Sequence, residues 1–132
     1  MFSTKGRYAI RIMIDLAQQD TEDYIPLKDI AERQGISKKY LEIIAKELVR
    51  SKLLTGASGK HGGYKLTRAP EDYTIGEIIE TMEGPIAPVA CLAPDAEACP
   101  RSDSCKTLSM WKEFQTLERD FFYGKKLSDL SR

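Results

Sequence analysis

The run "IPLKDIAERQGISKKYLEIIAKEL", residues 25–48, constrains the fold of this chain more than any other stretch. Pro26 marks a turn or a first helical position, and Leu27, Ile30 and Ala31 begin a short helix that stops at Gly35. Ser37 is a good N-cap for a further helix, in which Leu41, Ile44, Ala45 and Leu48 form one apolar face and Lys38, Lys39, Glu42 and Lys46 point outward. A short helix, a tight glycine-containing turn and a longer helix with a polar outer face make a helix-turn-helix pattern.

The next residues narrow the pattern. In "LLTGASGKHGGYKLTRA", two strand-like runs, Leu53 to Ala57 and Tyr64 to Thr67, flank a glycine-rich basic tip, which predicts a hairpin. A helix-turn-helix joined directly to such a hairpin is the order of a winged helix. There the third helix enters the major groove of double-stranded DNA and the wing lies along the backbone or minor groove. The first helix is predicted from Lys5 to Gln18, with Ala9, Ile10, Ile12, Met13, Leu16 and Ala17 on an apolar stripe and Arg7, Arg11 and Asp15 outside it. Thr74 and Glu77 form a capping box for a fourth helix carrying Ile75, Ile78, Ile79 and Met82, which ends at Gly84-Pro85. Thr107 to Phe122 predicts a last helix with Met110, Phe114, Leu117 and Phe121 at a,d-like spacing and Leu108, Trp111 and Phe122 beside them. So apolar a face at the end of a small domain predicts packing against the same helix of a second subunit, because reading two half-sites needs a dimer to space them.

The expected fold is therefore mainly α with a small β-hairpin wing: a winged helix-turn-helix plus a long C-terminal dimerisation helix. Residues 1–84 form the expected DNA-binding domain, 85–105 a cysteine-bearing loop and 106–132 the dimerisation helix with its tail. At 132 residues and a pI near 6.6, one domain is expected. With 42% hydrophobic and 30% charged residues, no apolar run approaches membrane-spanning length, and the N-terminus lacks the pattern of a signal peptide. The expectation is a cytoplasmic protein with no membrane partner. The formal net charge is zero, yet residues 1–68 carry 13 Lys and Arg against 8 Asp and Glu, and residues 69–132 carry 7 against 12. That asymmetry suits a first half facing a polyanion.

All three cysteines, Cys91, Cys99 and Cys105, lie in one loop rich in Pro, Asp and Ser. An odd number without export signals argues for free thiols, a metal site or redox chemistry rather than a disulfide framework. Soft ligands of this kind suit iron–sulfur clusters or zinc, and their wide spacing argues against a zinc ribbon. No convergent acid, base, nucleotide loop or substrate pocket is legible, so a redox or metal enzyme is the weaker reading and a binding protein the stronger.

The segments "STKGRYAIRIMIDLA", "DIAERQGISKKYLEIIAKEL", "GKHGGYKL" and "EGPIAPV" together resemble the Rrf-two type of bacterial winged-helix regulators, the IscR/CymR/NsrR-like family, over nearly the whole chain. The resemblance implies a homodimeric transcription factor, a repressor, and in some members an iron–sulfur cluster of the 2Fe-2S type held by three loop cysteines. It places Glu42 at the family's base-reading glutamate, where a carboxylate accepts from a cytosine amino group. Ser37, Lys38, Lys39 and Tyr40 then lie at the end of the helix that dips into the groove, the two lysines holding phosphates. Lys60 and His61 of the wing reach phosphate or minor groove, Gly62 and Gly63 allow its tight turn, and Lys5, Arg7 and Lys28 complete the backbone contacts. This chain departs from the family at two places. Ser58 stands where many members have a wing arginine, and Leu108 where IscR-like members have a histidine after the last cysteine. The acidic ligand of NsrR-type members is also missing from "KGRYAI", so a fourth ligand falls to Asp95, Glu97, Asp103, a partner-subunit residue or a small molecule. The alternatives are a metal-free thiol switch, or a cluster-free regulator of cysteine metabolism controlled through a regulatory protein partner, as in CymR-like members.

Overall fold

The local signals of the sequence recur as structure. The computed structural model describes residues 2–97, 100–101 and 103–132. Helix α1 (Thr4–Gln18) starts at Ser3, whose hydroxyl accepts from the Gly6 amide. Helix α2 (Leu27–Gln34) ends at Gly35, where φ of 64° favours glycine, and α3 (Lys38–Arg50) starts at Ser37, whose Oγ accepts from the Tyr40 amide at 3.1 Å. Strands β1 (Leu54–Ala57) and β2 (Gly63–Leu66) pair antiparallel, Leu54 opposite Leu66 and Ala57 opposite Gly63. The segment before α2 joins them: Ile25 and Tyr64 exchange backbone hydrogen bonds of 2.8 and 2.9 Å. The hairpin is therefore tied at its base to the entry of the helix-turn-helix.

Helix α4 (Ile75–Glu83) carries the expected capping box, with Thr74 Oγ1 accepting from the Glu77 amide and Glu77 accepting from the Thr74 amide. Helix α5 (Leu108–Tyr123) comes after the cysteine loop, and a short α6 (Leu127–Leu130) closes the chain. The architecture, helical with one two-stranded hairpin, is the winged helix that the residue pattern predicts.

One core serves all of this. It gathers Ala9, Ile12, Met13 and Leu16 of α1, Leu27 and Ile30 of α2, Leu41, Ile44 and Leu48 of α3, Leu53 and Leu54 at the wing base, and Ile78 and Ile79 of α4. Tyr73 is buried beneath the wing. Its hydroxyl donates to the Leu53 carbonyl at 2.7 Å and accepts from the Thr67 and Arg68 amides, so the end of the hairpin is pinned to the start of α4.

Two sequence expectations change. Asp15, read as lying outside the apolar stripe of α1, is only 2% exposed. Its carboxylate accepts from Arg33 Nη2 at 2.7 Å, from Arg33 Nε and from Gln34 Nε2 at 2.9 Å, so α2 covers it with donors rather than leaving it in water. The tail after α5, which carries no helical periodicity, turns back onto the first domain. Leu127 is fully buried in the common core, the Ile75 amide donates to the Lys125 carbonyl and the Leu127 amide to the Tyr73 carbonyl.

Candidate nucleic-acid interface

Helix periodicity divides α3 cleanly. With Leu41, Ile44, Ala45 and Leu48 turned inward, Lys39, Ile43, Lys46 and Arg50 stand opposite the core, Glu42 flanks them on the wing side and Tyr40 on the α1 side. Ser37, Lys38, Lys39, Tyr40 and Glu42 are all exposed, as are Lys28 and Arg7. Glu42 Oε1 lies 3.8 Å from Lys46 Nζ, a loose exposed pair one helical turn apart. Lys46 belongs to this face by the same periodicity, although the expected set of DNA contacts omits it together with Ile43 and Arg50.

The edge toward α1 is built from aromatic and polar contacts. Tyr40 stacks edge-to-face on Tyr8 at 5.7 Å, and the Arg11 guanidinium lies over the Tyr8 ring, 5.3 Å from its centroid. Arg11 Nε donates to Gln34 Oε1 at 3.0 Å, and Gln34 in turn donates to Asp15. A connected path thus runs from the buried carboxylate through α2 to the aromatic edge of α3. Lys5 is not free in this arrangement: its Nζ pairs with Glu47 Oε1 of α3 at 2.5 Å.

On the other flank, a shallow groove between α3 and the hairpin is lined by Lys46, Val49, Ala57, Ser58, Gly63 and Tyr64. Burial, reinforced by the charge of Glu42, pushes the Tyr64 phenol above its ordinary value and keeps it neutral. Ser58, Lys60 and His61 are exposed around the tip. Gly62 and Gly63 have steric roles: a Cβ on Gly62 would sit 2.3 Å from the Ala57 carbonyl, and one on Gly63, at φ of 143°, 2.2 Å from the Ile25 carbonyl. Of the expected DNA contacts, Ser58 and Gly63 thus line this groove, whereas Ser37 and Tyr40 line a separate shallow hollow against Thr4 and Tyr8 of α1.

The cysteine loop follows α4 and leads into α5. Cys91 and Cys105 are exposed free thiols, and Cys99 lies outside the described residues. The Thr107 hydroxyl, 3.4 Å from the sulfur, together with the Thr107 and Leu108 amides opening α5 and the charge of Arg101, holds the Cys105 thiol below its ordinary value. Among the described residues no three His, Cys, Asp or Glu side chains converge on a common point. Asp95, Glu97 and Asp103 are exposed on the same loop.

Helix α5 anchors that loop. Gln115 Nε2 donates to the Ile86 and Leu92 carbonyls, while Glu80 Oε2 of α4 accepts from the Ile86 amide at 2.7 Å and from Arg119 at 3.1 Å. Trp111, Gln115, Arg119 and Phe122 are partly covered, and Phe122 meets Phe2 edge-to-face at 5.2 Å. Met110, Phe114, Leu117 and Phe121 point the other way and are between 45% and 62% exposed. Trp111 therefore lies on the inner side of α5 rather than in that outward row.

A winged helix-turn-helix with a basic outer helix face and an exposed basic hairpin tip is the construction of a nucleic-acid-binding module. The chain belongs to the Rrf2 family of transcriptional regulators: the family profile, described as an iron-dependent transcriptional regulator, matches residues 2–132. It is 39% identical over 111 residues to the Rrf2 protein of Nitratidesulfovibrio vulgaris, covering 84% of this chain and 73% of that one. It is 33% identical over 128 residues to the regulator IscR of Aliivibrio salmonicida, covering 97% and 75%. Among solved structures it is similar to CymR of B. subtilis, described as a global cysteine regulator, with a TM-score of 0.79, 34% identity and coverage of 99% and 95%. IscR of T. potens gives a TM-score of 0.76 at 32% identity, covering 98% and 85%. These relatives are transcriptional regulators, not enzymes, and so is this protein. No helix among the described residues is long and apolar enough to cross a membrane.

Proposed function

We propose that the protein is a cytoplasmic, homodimeric repressor of the Rrf2 family that binds double-stranded DNA, with a sensor in the cysteine loop. The observation that carries this reading is the outer face of α3, where Lys39, Lys46 and Arg50 stand clear of the core and Lys46 lines the groove shared with Ser58 of the wing. Glu42 reads a base edge, Lys38 and Lys39 hold phosphates, and Lys60 and His61 track the backbone beyond the major groove. Arg7 and Lys28 add outer phosphate contacts; Lys5 instead braces α1 against α3 through Glu47. The exposed row on α5 packs against its copy and sets the two recognition helices about 34 Å apart, one turn of duplex.

The donor chemistry of the loop fits an iron–sulfur cluster. Cys91, Cys99 and Cys105 would hold it, with one of the loop carboxylates or a group from outside the chain as fourth ligand. When bound, the cluster supplies a redox- and iron-responsive group. The protein's own part is to couple loop order to the DNA-binding side through Gln115, Glu80 and α4. Similarity to the cysteine regulator CymR supports a second reading, in which a regulatory protein partner replaces the cluster.

Titration of duplex DNA at increasing salt tests the core of the proposal. Affinity is expected to fall steeply with salt, and Lys39→Ala to weaken all sequences alike and shallow the slope by about one unit, whereas Glu42→Ala relaxes choice at one base pair. No duplex binding at low salt would refute it. Iron and acid-labile sulfide in protein purified without oxygen, absent from a variant with all three cysteines changed to Ala, are the expected marks of the cluster. Protein that stays iron-free after reconstitution would move the sensor to the partner-controlled reading.

A further inference from the structure

The outer face of α3 contains one residue that phosphate contacts do not explain. Ile43 is 53% exposed at the centre of that face, one turn after Lys39, one turn before Lys46 and two turns before Arg50. A single exposed isoleucine is ordinary on a protein surface. Its surroundings make this one informative. Lys39 and Lys46 flank Ile43 along the outward stripe of α3, so when that stripe is seated in the major groove Ile43 meets the groove floor. On that floor most groups are hydrogen-bond donors or acceptors, and the apolar one is the C5-methyl of thymine.

Resting on the DNA-binding reading above, we infer that Ile43 is a specificity-determining residue that packs its side chain against a thymine methyl group. Glu42 and Ile43 then read neighbouring bases by different physics, the carboxylate by a hydrogen bond to an amino group and the isoleucine by apolar contact. The β-branched side chain is well suited to this contact, because in a helix it keeps essentially one χ1 rotamer and so loses little side-chain freedom on binding. Changes at Ile43 leave the fold intact, because the core contacts of α3 come from Leu41, Ile44, Ala45 and Leu48.

The test starts from duplexes that the native protein selects out of a random pool. Each thymidine of the selected site is then replaced in turn by deoxyuridine, which removes the methyl group and preserves base pairing. At one position per half-site the replacement is expected to weaken native binding about fourfold, the effect of burying one methyl group. Ile43→Ala, with an unchanged thermal midpoint, should bind the thymidine and deoxyuridine duplexes equally, and Ile43→Val should retain part of the difference. Discrimination by Ile43→Ala as strong as that of native protein, or none by native protein at any position, overturns the inference while leaving DNA binding intact. Failure of native protein to select any duplex overturns the DNA-binding reading itself and this assignment with it.

Discussion

Glu77 ties three parts of the molecule together with one carboxylate. It accepts from the Thr74 amide, closing the cap of α4, and from both terminal nitrogens of Arg68 at 2.8 and 3.1 Å, while Arg68 lies over the Tyr73 ring. Partial burial opposes the charge on Glu77, but the Arg68 and Thr74 hydrogen bonds outweigh it and hold the carboxyl below its ordinary value of 4.5. A carboxyl whose folded pKa lies below its unfolded one adds stability that is full above the unfolded value and fades as pH falls through the folded one. Glu77→Gln is therefore expected to lower stability at pH 7 by about 1 kcal/mol, a figure held down because Arg68 is partly solvated. Urea unfolding of the two proteins should converge as the pH drops below about 4.5. A gap that persists undiminished at pH 3 would assign the effect to packing instead. Asp15 marks a different limit: its helical position reads as surface, and only the donors that Arg33 and Gln34 bring from α2 make its burial tolerable.

At the scale of elements, the wing is held from two sides. Its base is sewn to the segment before α2 by the Ile25–Tyr64 pair, and its end is fastened to α4 through Tyr73 and Arg68. The tip around Gly59, Lys60 and His61 lies beyond both ties, and it is the part expected to track the duplex. Gly63 permits the close approach of β2 to Ile25, with no room for a Cβ and a backbone angle that other residues rarely adopt. Gly63→Ala is expected to break the Ile25 bridge, cost about 1–3 kcal/mol and weaken DNA binding beyond what that loss of stability accounts for. Amide hydrogen exchange at Ile25 and Tyr64 checks it: protection should fall there and persist in α1. Helix α4 is the other connecting element. Glu77 faces the wing and Glu80, one turn on, holds Ile86 and Arg119, so a single rigid helix touches both the hairpin and the start of the cysteine loop.

For the whole molecule, the decisive feature is that α5 has no buried residue in a chain whose other long helices each bury a stripe. It leans on α4 through Tyr123, whose ring lies where a Cβ on Gly76 would be, and leaves Met110, Phe114, Leu117 and Phe121 facing outward. Four large apolar side chains at heptad-like spacing fit the seam of the proposed helix pair. Phe114→Glu combined with Leu117→Glu is expected to convert a dimer to a monomer in sedimentation, to make the thermal midpoint independent of protein concentration, and to reduce affinity for a two-half-site duplex at least tenfold. A native protein that sediments as a monomer, or a double variant that stays dimeric, would remove α5 from the assembly. The C-terminal tail contributes in another way, since Leu127 fills the core that α1 organises. The segment beyond α5 and the helix-turn-helix are thus one folding unit, although a long connection separates them in sequence.

Sequence by itself determined the features that depend on neighbours a few residues away. The caps at Ser37 and Thr74, the break at Gly35, the apolar stripes of α1, α3 and α4 and the glycine-rich hairpin tip arise from hydrogen bonds and backbone preferences within a single turn, and together they specify a winged helix. The tertiary structure decided what depends on distant partners. Asp15 is buried because α2 supplies Arg33; Lys5 is engaged because α3 supplies Glu47; the α6 turn exists because the core of the first domain has a place for Leu127. Ile43 falls opposite the apolar stripe of α3 by periodicity alone, and the structure adds that no neighbouring element covers it, leaving it 53% exposed. Periodicity and polarity state which face of a helix turns outward, and only packing against the rest of the chain decides which side chains on that face are left uncovered.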